Sequence, residues 1–184
     1  MTYEDPYLPD ILRGVVARVD ATFTDSIVYD KFNVYFDHGL YGQVAKNIYK
    51  TGAEDSYPLV WLVMNYAEER GRDYSVFADV TCQIIIAMPT DPVYTQAERD
   101  ENVFKPRLLP IYKEFIRQVS DEPLLQTDLQ NKIRHTRILR PYWGGGDVNG
   151  PDQKNLFDGY IDAISIPNLQ IKIKHNCLMA GANF

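Results

Sequence analysis

Eight side chains between positions 132 and 149 offer the richest chemistry: Lys132, Arg134, Arg137, Arg140, Tyr142, Trp143, Asp147 and Asn149. From Lys132 to Arg140 the chain carries four fixed positive charges and no carboxylate, and Tyr142 and Trp143 follow. Such a mixture suits three surfaces. A single-stranded nucleic-acid groove neutralises phosphates with cations and stacks bases on aromatic rings. An arm docking on an acidic neighbour uses the charges for complementarity and the rings as anchors. A solvated strand face simply leaves the charges in water. The following stretch, Gly144-Gly145-Gly146-Asp147-Val148-Asn149-Gly150-Pro151-Asp152, invites comparison with a calcium loop. Counted from Asp147, Gly150 falls at position four and Asp158 at position twelve, where an EF-hand needs glycine at six and glutamate at twelve. A phosphate cradle would need a Lys and a Ser or Thr that this stretch lacks. Residues 140–157 therefore read as a Gly/Asn/Pro-rich loop. A loop beyond about 15 residues is often functional or becomes ordered on binding.

Other chemistry is sparse. The chain has no HExxH, CxxC, GxSxG, P-loop or GxGxxG signature. His38, His135 and His175 lie far apart in sequence. His38 before Gly39 reads as a turn residue and His175 as a solvated strand end. A hydrolytic site around Asp37 and His38 is the weakest alternative. Cys82 sits inside an apolar strand and reads as a small core hydrophobe, and Cys177 has no activating partner in view. These features predict no catalytic group, no metal site and no cofactor.

Periodicity supplies the elements that would position the candidate residues. Ile11, Leu12, Val15, Val16 and Val19 form one helical stripe, predicting a helix over 9–23 with Pro9 in its first turn. Residues 32–36 read as a strand closed by His38-Gly39, and 41–49 as a short helix. Residues 57–64 read as a buried strand entered through Pro58. Residues 79–88 are apolar on both faces, the mark of a central strand. Thr95 and Glu98 have capping-box spacing, and Leu108, Ile111, Phe115 and Val119 predict a helix starting near Pro106. Residues 160–166 and 169–174 read as two late strand pieces, the second alternating strictly, with a bulge or kink at Pro167-Asn168. The order predicts an α+β fold: a mainly antiparallel sheet with helices packed on one face, plus a long loop or arm. The 184 residues fit a single domain, with 120–157 as an extended arm or loop insertion.

Charge narrows the function classes. Nineteen basic and 25 acidic residues give a net charge of −6, against a basic whole-surface nucleic-acid binder. Residues 1–92 hold 7 basic and 14 acidic residues, and residues 93–184 hold 12 and 11. A surface acidic on one side and basic on the other suits head-to-tail association, which closes into rings when the rotation permits. Thirteen tyrosines, two tryptophans and eight phenylalanines exceed the needs of one small core, and tyrosine is favoured at interfaces. The apolar run from Leu59 to Met64 is too short to cross a bilayer, and residues 1–20 lack a basic signal-peptide start. Two cysteines 95 positions apart make no disulfide framework, which fits a protein assembled in reducing cytosol.

Four stretches together resemble a known group: FNVYFDHG (32–39), YPLVWLVMNYAEERG (57–71), TCQIIIAMPTDPVYTQAERDENVFKPRLLPIYKEFIRQV (81–119) and FDGYIDAISIPNLQIKIKHNC (157–177). They resemble the small neck, ring and tail-terminator (tail-completion) proteins of tailed bacteriophages, including those of the crAss-like group. The resemblance spans about residues 9–177 and rests on packing patterns. It implies an α+β virion structural protein, without a cofactor, whose copies form a ring of six or twelve at the head–tail junction. The implied partners are the adjacent neck, portal or tail proteins. DNA would pass through the lumen without specific binding, and an acidic surface suits that passage because phosphate contacts need basic groups. The implied location is the virion, after assembly in the host cytoplasm. No membrane is involved.

Overall fold

A strand that is apolar on both faces has to lie inside a sheet with both faces covered. The computed structural model places it there: β3 (Phe77–Pro89) runs between β2 (Leu59–Arg70) and β6 (Ile161–Lys174). The structure describes residues 6–26, 31–40, 43, 56–70, 77–126, 133–143 and 160–174. Among them the sheet has six strands in the order β1–β2–β3–β6–β4, with β5 also on β6. β1 (Tyr35–Gly39) runs parallel to β2, and every other pairing is antiparallel, including those of β4 (Leu125–Gln126) and β5 (Ile138–Arg140). The fold is α+β.

The helices cover one face. α1 (Leu8–Thr24) buries Ile11, Leu12, Val15, Val16, Val19 and Phe23, the expected stripe. They pack with Val80, Cys82, Ile84 and Ile86 of β3 and with Ile164, Ile166, Leu169, Ile171 and Ile173 of β6. Each large aliphatic side chain buried this fully stabilises the fold by about 1.5–3 kcal/mol. The second face carries a smaller apolar group: Leu59, Trp61, Val63, Ile85, Ala87, Ile161 and Ala163. Beyond it the same face turns polar, where Thr81, Gln170 and Lys174 stand exposed.

Several boundaries differ from the sequence reading. The first strand is Tyr35–Gly39 rather than 32–36, so His38 lies in the strand and not in a turn. β2 begins at Leu59, after a cis Tyr57–Pro58 bond, and continues through the polar alternation to Arg70. The late strand pieces form one strand. Cys82 pairs with Leu169 and Ile84 with Ile166, so Gln83 faces both Pro167 and Asn168, and the expected bulge is present. The helix expected to start near Pro106 instead starts ten residues earlier. α2 (Gln96–Arg99) opens with the Thr95/Glu98 capping box, a π-helical stretch follows over Asp100–Leu108, and α3 (Leu109–Ser120) completes the run. Proline cannot donate and its ring strikes the carbonyl four residues back. The wider π turn carries Pro106 inside the helix at the place where a regular α-helix would break. The expected helix at 41–49 lies outside the described residues apart from Gln43, as do His175 and Cys177. Among the described residues no helix is long and apolar enough to cross a membrane.

A polar seam ties the two long helices together. Arg18 donates to Gln118 (2.9 Å) and Glu122, and Thr22 donates to Glu114 (3.0 Å). Glu114 also accepts from Arg117 and Gln118. The hydrogen bonds from Arg117 hold the Glu114 carboxyl down at about 2, against partial burial that pushes it up. A carboxyl lowered on folding stabilises the native state above its ordinary value and loses that contribution as pH falls toward 2. Glu114→Gln is expected to cost about 1 kcal/mol at pH 7 after solvent screening. Urea melts of both forms should differ at pH 7, and the gap should narrow as pH falls from about 4.5 toward 2; a constant gap would assign the effect to packing.

The edge lane and the Tyr142 turn as a candidate interface

β6 positions the candidate residues. β4, an isolated bridge from Arg134 to Gln170, and β5 all pair antiparallel with its free edge, so residues 125–126 and 134–140 share one lane. The bulge helps hold that lane: Asn168 Oδ1 accepts the Thr136 backbone N–H at 2.7 Å. The Gln170 N–H donates to the Arg134 carbonyl at 3.0 Å.

Pairing register then sorts the cations. Arg134 lies opposite Gln170 and Arg140 opposite Ala163, which sets both on the second face. Arg137 goes to the helix face, with its guanidinium 5.2 Å from the centre of the Tyr112 ring. His135 goes with it. Its Nδ1 is 2.9 Å from the Ile133 carbonyl and its Nε2 is 2.6 Å from the Tyr112 hydroxyl. Since a carbonyl only accepts, the proton belongs on Nδ1, and Nε2 accepts from the Tyr112 O–H. The basic segment is thus divided between two faces of the sheet. Lys132, Asp147 and Asn149 lie outside the described residues.

At the end of β5 the chain turns through Tyr142, whose φ of 53° is unusual for a bulky residue. Its surroundings hold it there. The Tyr142 N–H donates to Asp162 Oδ1 (3.0 Å), and its hydroxyl donates to the Pro92 carbonyl (3.0 Å). The ring lies 3.6 Å from the Arg99 guanidinium carbon and meets Tyr160 edge-on at 5.6 Å. Arg99 and Asp162 are 1% and 0% exposed. Arg99 Nη1 donates to both Asp162 oxygens (2.8 and 3.0 Å) and to Thr90 Oγ1 (3.1 Å), and Nη2 donates to the Asp91 carbonyl (3.0 Å). The capping box starts α2 so that Arg99, one turn in, faces the sheet. Trp143 packs edge-on against Trp61 at 5.7 Å and borders the second-face apolar group. Tyr142 and Trp143 are therefore anchors within the chain.

Cys82, Asp37 and His38, the other candidate groups among the described residues, have structural surroundings. Burial pushes the Cys82 thiol up to about 12, so it stays protonated under the helices. Asp37 Oδ1 accepts the backbone N–H of His38 at 2.7 Å, and the His38 ring stacks on Phe36. Among the described residues no three His, Cys, Asp or Glu side chains gather where they could share a metal ion.

No family model and no curated protein matches this chain. The charges themselves provide the functional clue. On the open part of the second face, Glu69 of β2 pairs with Asp79 of β3, and Asp79 pairs with Lys172 of β6 at a 2.6 Å Nζ–Oδ1 contact. Lys174 follows on β6, and Arg134, opposite Gln170, lies one strand further toward the edge, while Arg140, opposite Ala163, lies along the same edge beside the apolar group. Crossing the sheet from β2 to the edge lane, the side chains pass from acidic to basic. Sequence reasoning missed Arg99 and Asp162. The available signal was an acid set in the apolar run Ile161-Asp162-Ala163-Ile164, because a charge buried there needs a partner.

Proposed function

We propose that this protein is a structural subunit whose copies sit side by side in a ring, as the neck and tail-terminator proteins it resembles do. The observation that carries this reading is the opposite charge at the two edges of the open sheet half. Glu69 and Asp79 stand on one side, Lys172, Lys174 and Arg134 on the other, and Arg140 lies further along that same edge beside the apolar group. A surface polarised across its width fits the next copy head to tail, and such a contact closes into a ring when its rotation divides a full turn. In this reading the ring lies at the head–tail junction of a virion, between portal and tail, and DNA crosses its lumen without specific contacts. A nucleic-acid groove using the same basic segment is less well supported. Arg137 lies on the opposite face from Arg134 and Arg140, and Trp143 is packed on Trp61.

Native mass spectrometry of the purified chain tests the seam. The wild type is expected to give a closed oligomer, the Arg134→Glu/Arg140→Glu variant to lose it, and added Glu69→Lys/Asp79→Lys to restore it. An oligomer indifferent to these reversals would overturn the seam. Absence of the protein from purified virions would overturn the proposed location.

A further inference from the structure

Large apolar side chains rarely cluster in water on one part of a monomer surface. Here Val93 is 79% exposed, Tyr160 52% and Leu139 45%; Tyr160 meets Tyr142 edge-on, Val93 follows Pro92, whose carbonyl accepts the Tyr142 hydroxyl, and Leu139 lies three residues before Tyr142. Sheet register and the turn after β3 bring them to one corner of the sheet. Leu139 pairs with Ile164, Tyr142 contacts Asp162, and Tyr160 precedes β6 while its carbonyl accepts the Thr90 N–H. Pro92, whose carbonyl receives the Tyr142 hydroxyl, brings Val93 to the far end. The strip continues into charge at both ends. Beyond Leu139 lies exposed Arg137, level with Ile166. At the Val93 end, in the same turn as Val93, stands exposed Asp91, whose Oδ1 accepts the Val93 N–H. Six residues of strand separate the Tyr160 and Ile166 levels, about 20 Å at roughly 3.3 Å each.

We infer that this strip is a docking surface for a second copy of the same chain, related by a two-fold axis near Tyr142 and Tyr160. A strip that is basic at one end, apolar and aromatic in the middle and acidic at the other end complements its own inverted copy. In an isologous contact each residue meets its counterpart twice, so Arg137 of each copy faces Asp91 of the other. The composition matches an interface core of aromatics with a charged rim. Tyr142 gives the centre rigidity, because the Arg99–Asp162 pair fixes its ring and amide. This contact is separate from the ring seam, which uses the second face.

Sedimentation velocity over a concentration series tests the inference. The wild type is expected to pair two-fold in addition to closing its ring, and the seam-broken Arg134→Glu/Arg140→Glu variant to pair two-fold alone. Val93→Asp and Tyr160→Asp should each weaken pairing roughly tenfold or more, with unchanged circular dichroism because both positions are exposed. Arg137→Glu and Asp91→Lys should each weaken it, and the combined variant should restore it. Arg134→Glu/Arg140→Glu should leave it intact, which distinguishes loss of the ring seam from loss of this contact. A wild type without pairing at its highest soluble concentration would overturn the inference. So would pairing unaffected by Val93→Asp, or no recovery in the combined variant.

Discussion

Asp162→Ala is expected to lower the unfolding free energy by about 3–5 kcal/mol, the cost of breaking a buried ion pair by removing one partner. The Arg99 guanidinium would remain 1% exposed, with only Thr90 Oγ1 and the Asp91 carbonyl as neutral acceptors. The Tyr142 amide would also lose its acceptor, at a residue already held at φ 53°. Arg99→Met should be similarly costly because it strands the carboxylate. The Arg99→Met/Asp162→Leu double variant should be less destabilised than the sum of the two, since no isolated charge remains. Urea denaturation followed by circular dichroism measures all three. A cost below about 1 kcal/mol for Asp162→Ala would match a solvent-exposed pair and would contradict the burial of this one.

That pair also shows where sequence reading reaches its limit. α1, β3 and the second half of β6 were legible because each repeats one period long enough to be recognised. Ile11 to Val19 follows the helical period, and Leu169 to Ile173 follows the strand period. The start of the second helical run was not. Its buried residues fall at Arg99, at the adjacent pair Val103 and Phe104, and at Leu108, nine residues over two turns, then Ile111, Phe115 and Val119 return to steps of three and four. The first spacing belongs to the wider π turn, and a search at 3.6 residues begins only where the spacing returns to normal. β5 was hidden for a different reason. Ile138-Leu139-Arg140 is three residues long, partly charged and stabilised by β6 rather than by its own pattern.

The basic segment was visible as charge but not as geometry. Spacing alone grouped Arg134, Arg137 and Arg140, whereas the strand period of two separates Arg137 from the others. Tyr142 and Trp143 stood out in the sequence as anchors for a docking partner, whereas the rings pack on Arg99 and Trp61 of the same chain, 43 and 82 positions away. Contacts at that separation come from topology, and one sequence has no local signal for them. The acid-to-basic progression across the sheet was likewise available only after register placed Glu69, Asp79 and Lys172 in one row.

Trp61→Ala is expected to be the other severe change, at about 3–5 kcal/mol for a buried large aromatic. The ring is 1% exposed, centred in the second-face group with Leu59, Val63, Ile85 and Ala163, and it supports Trp143 edge-on. Its indole N–H donates to the Gly39 carbonyl at 3.1 Å, reached because Gly39 adopts φ 155°, a conformation that disfavours side chains. Trp61→Phe separates these contributions. It keeps most of the apolar burial and loses the hydrogen bond, for about 1–2 kcal/mol. It also leaves Trp143 as the only tryptophan. The Trp143 emission in Trp61→Phe should stay close to that of a sheltered indole, and in Trp61→Ala it should shift to the red as water reaches the space beside it. If Trp61→Ala leaves both the melt and the emission unchanged, Trp143 does not rest on Trp61.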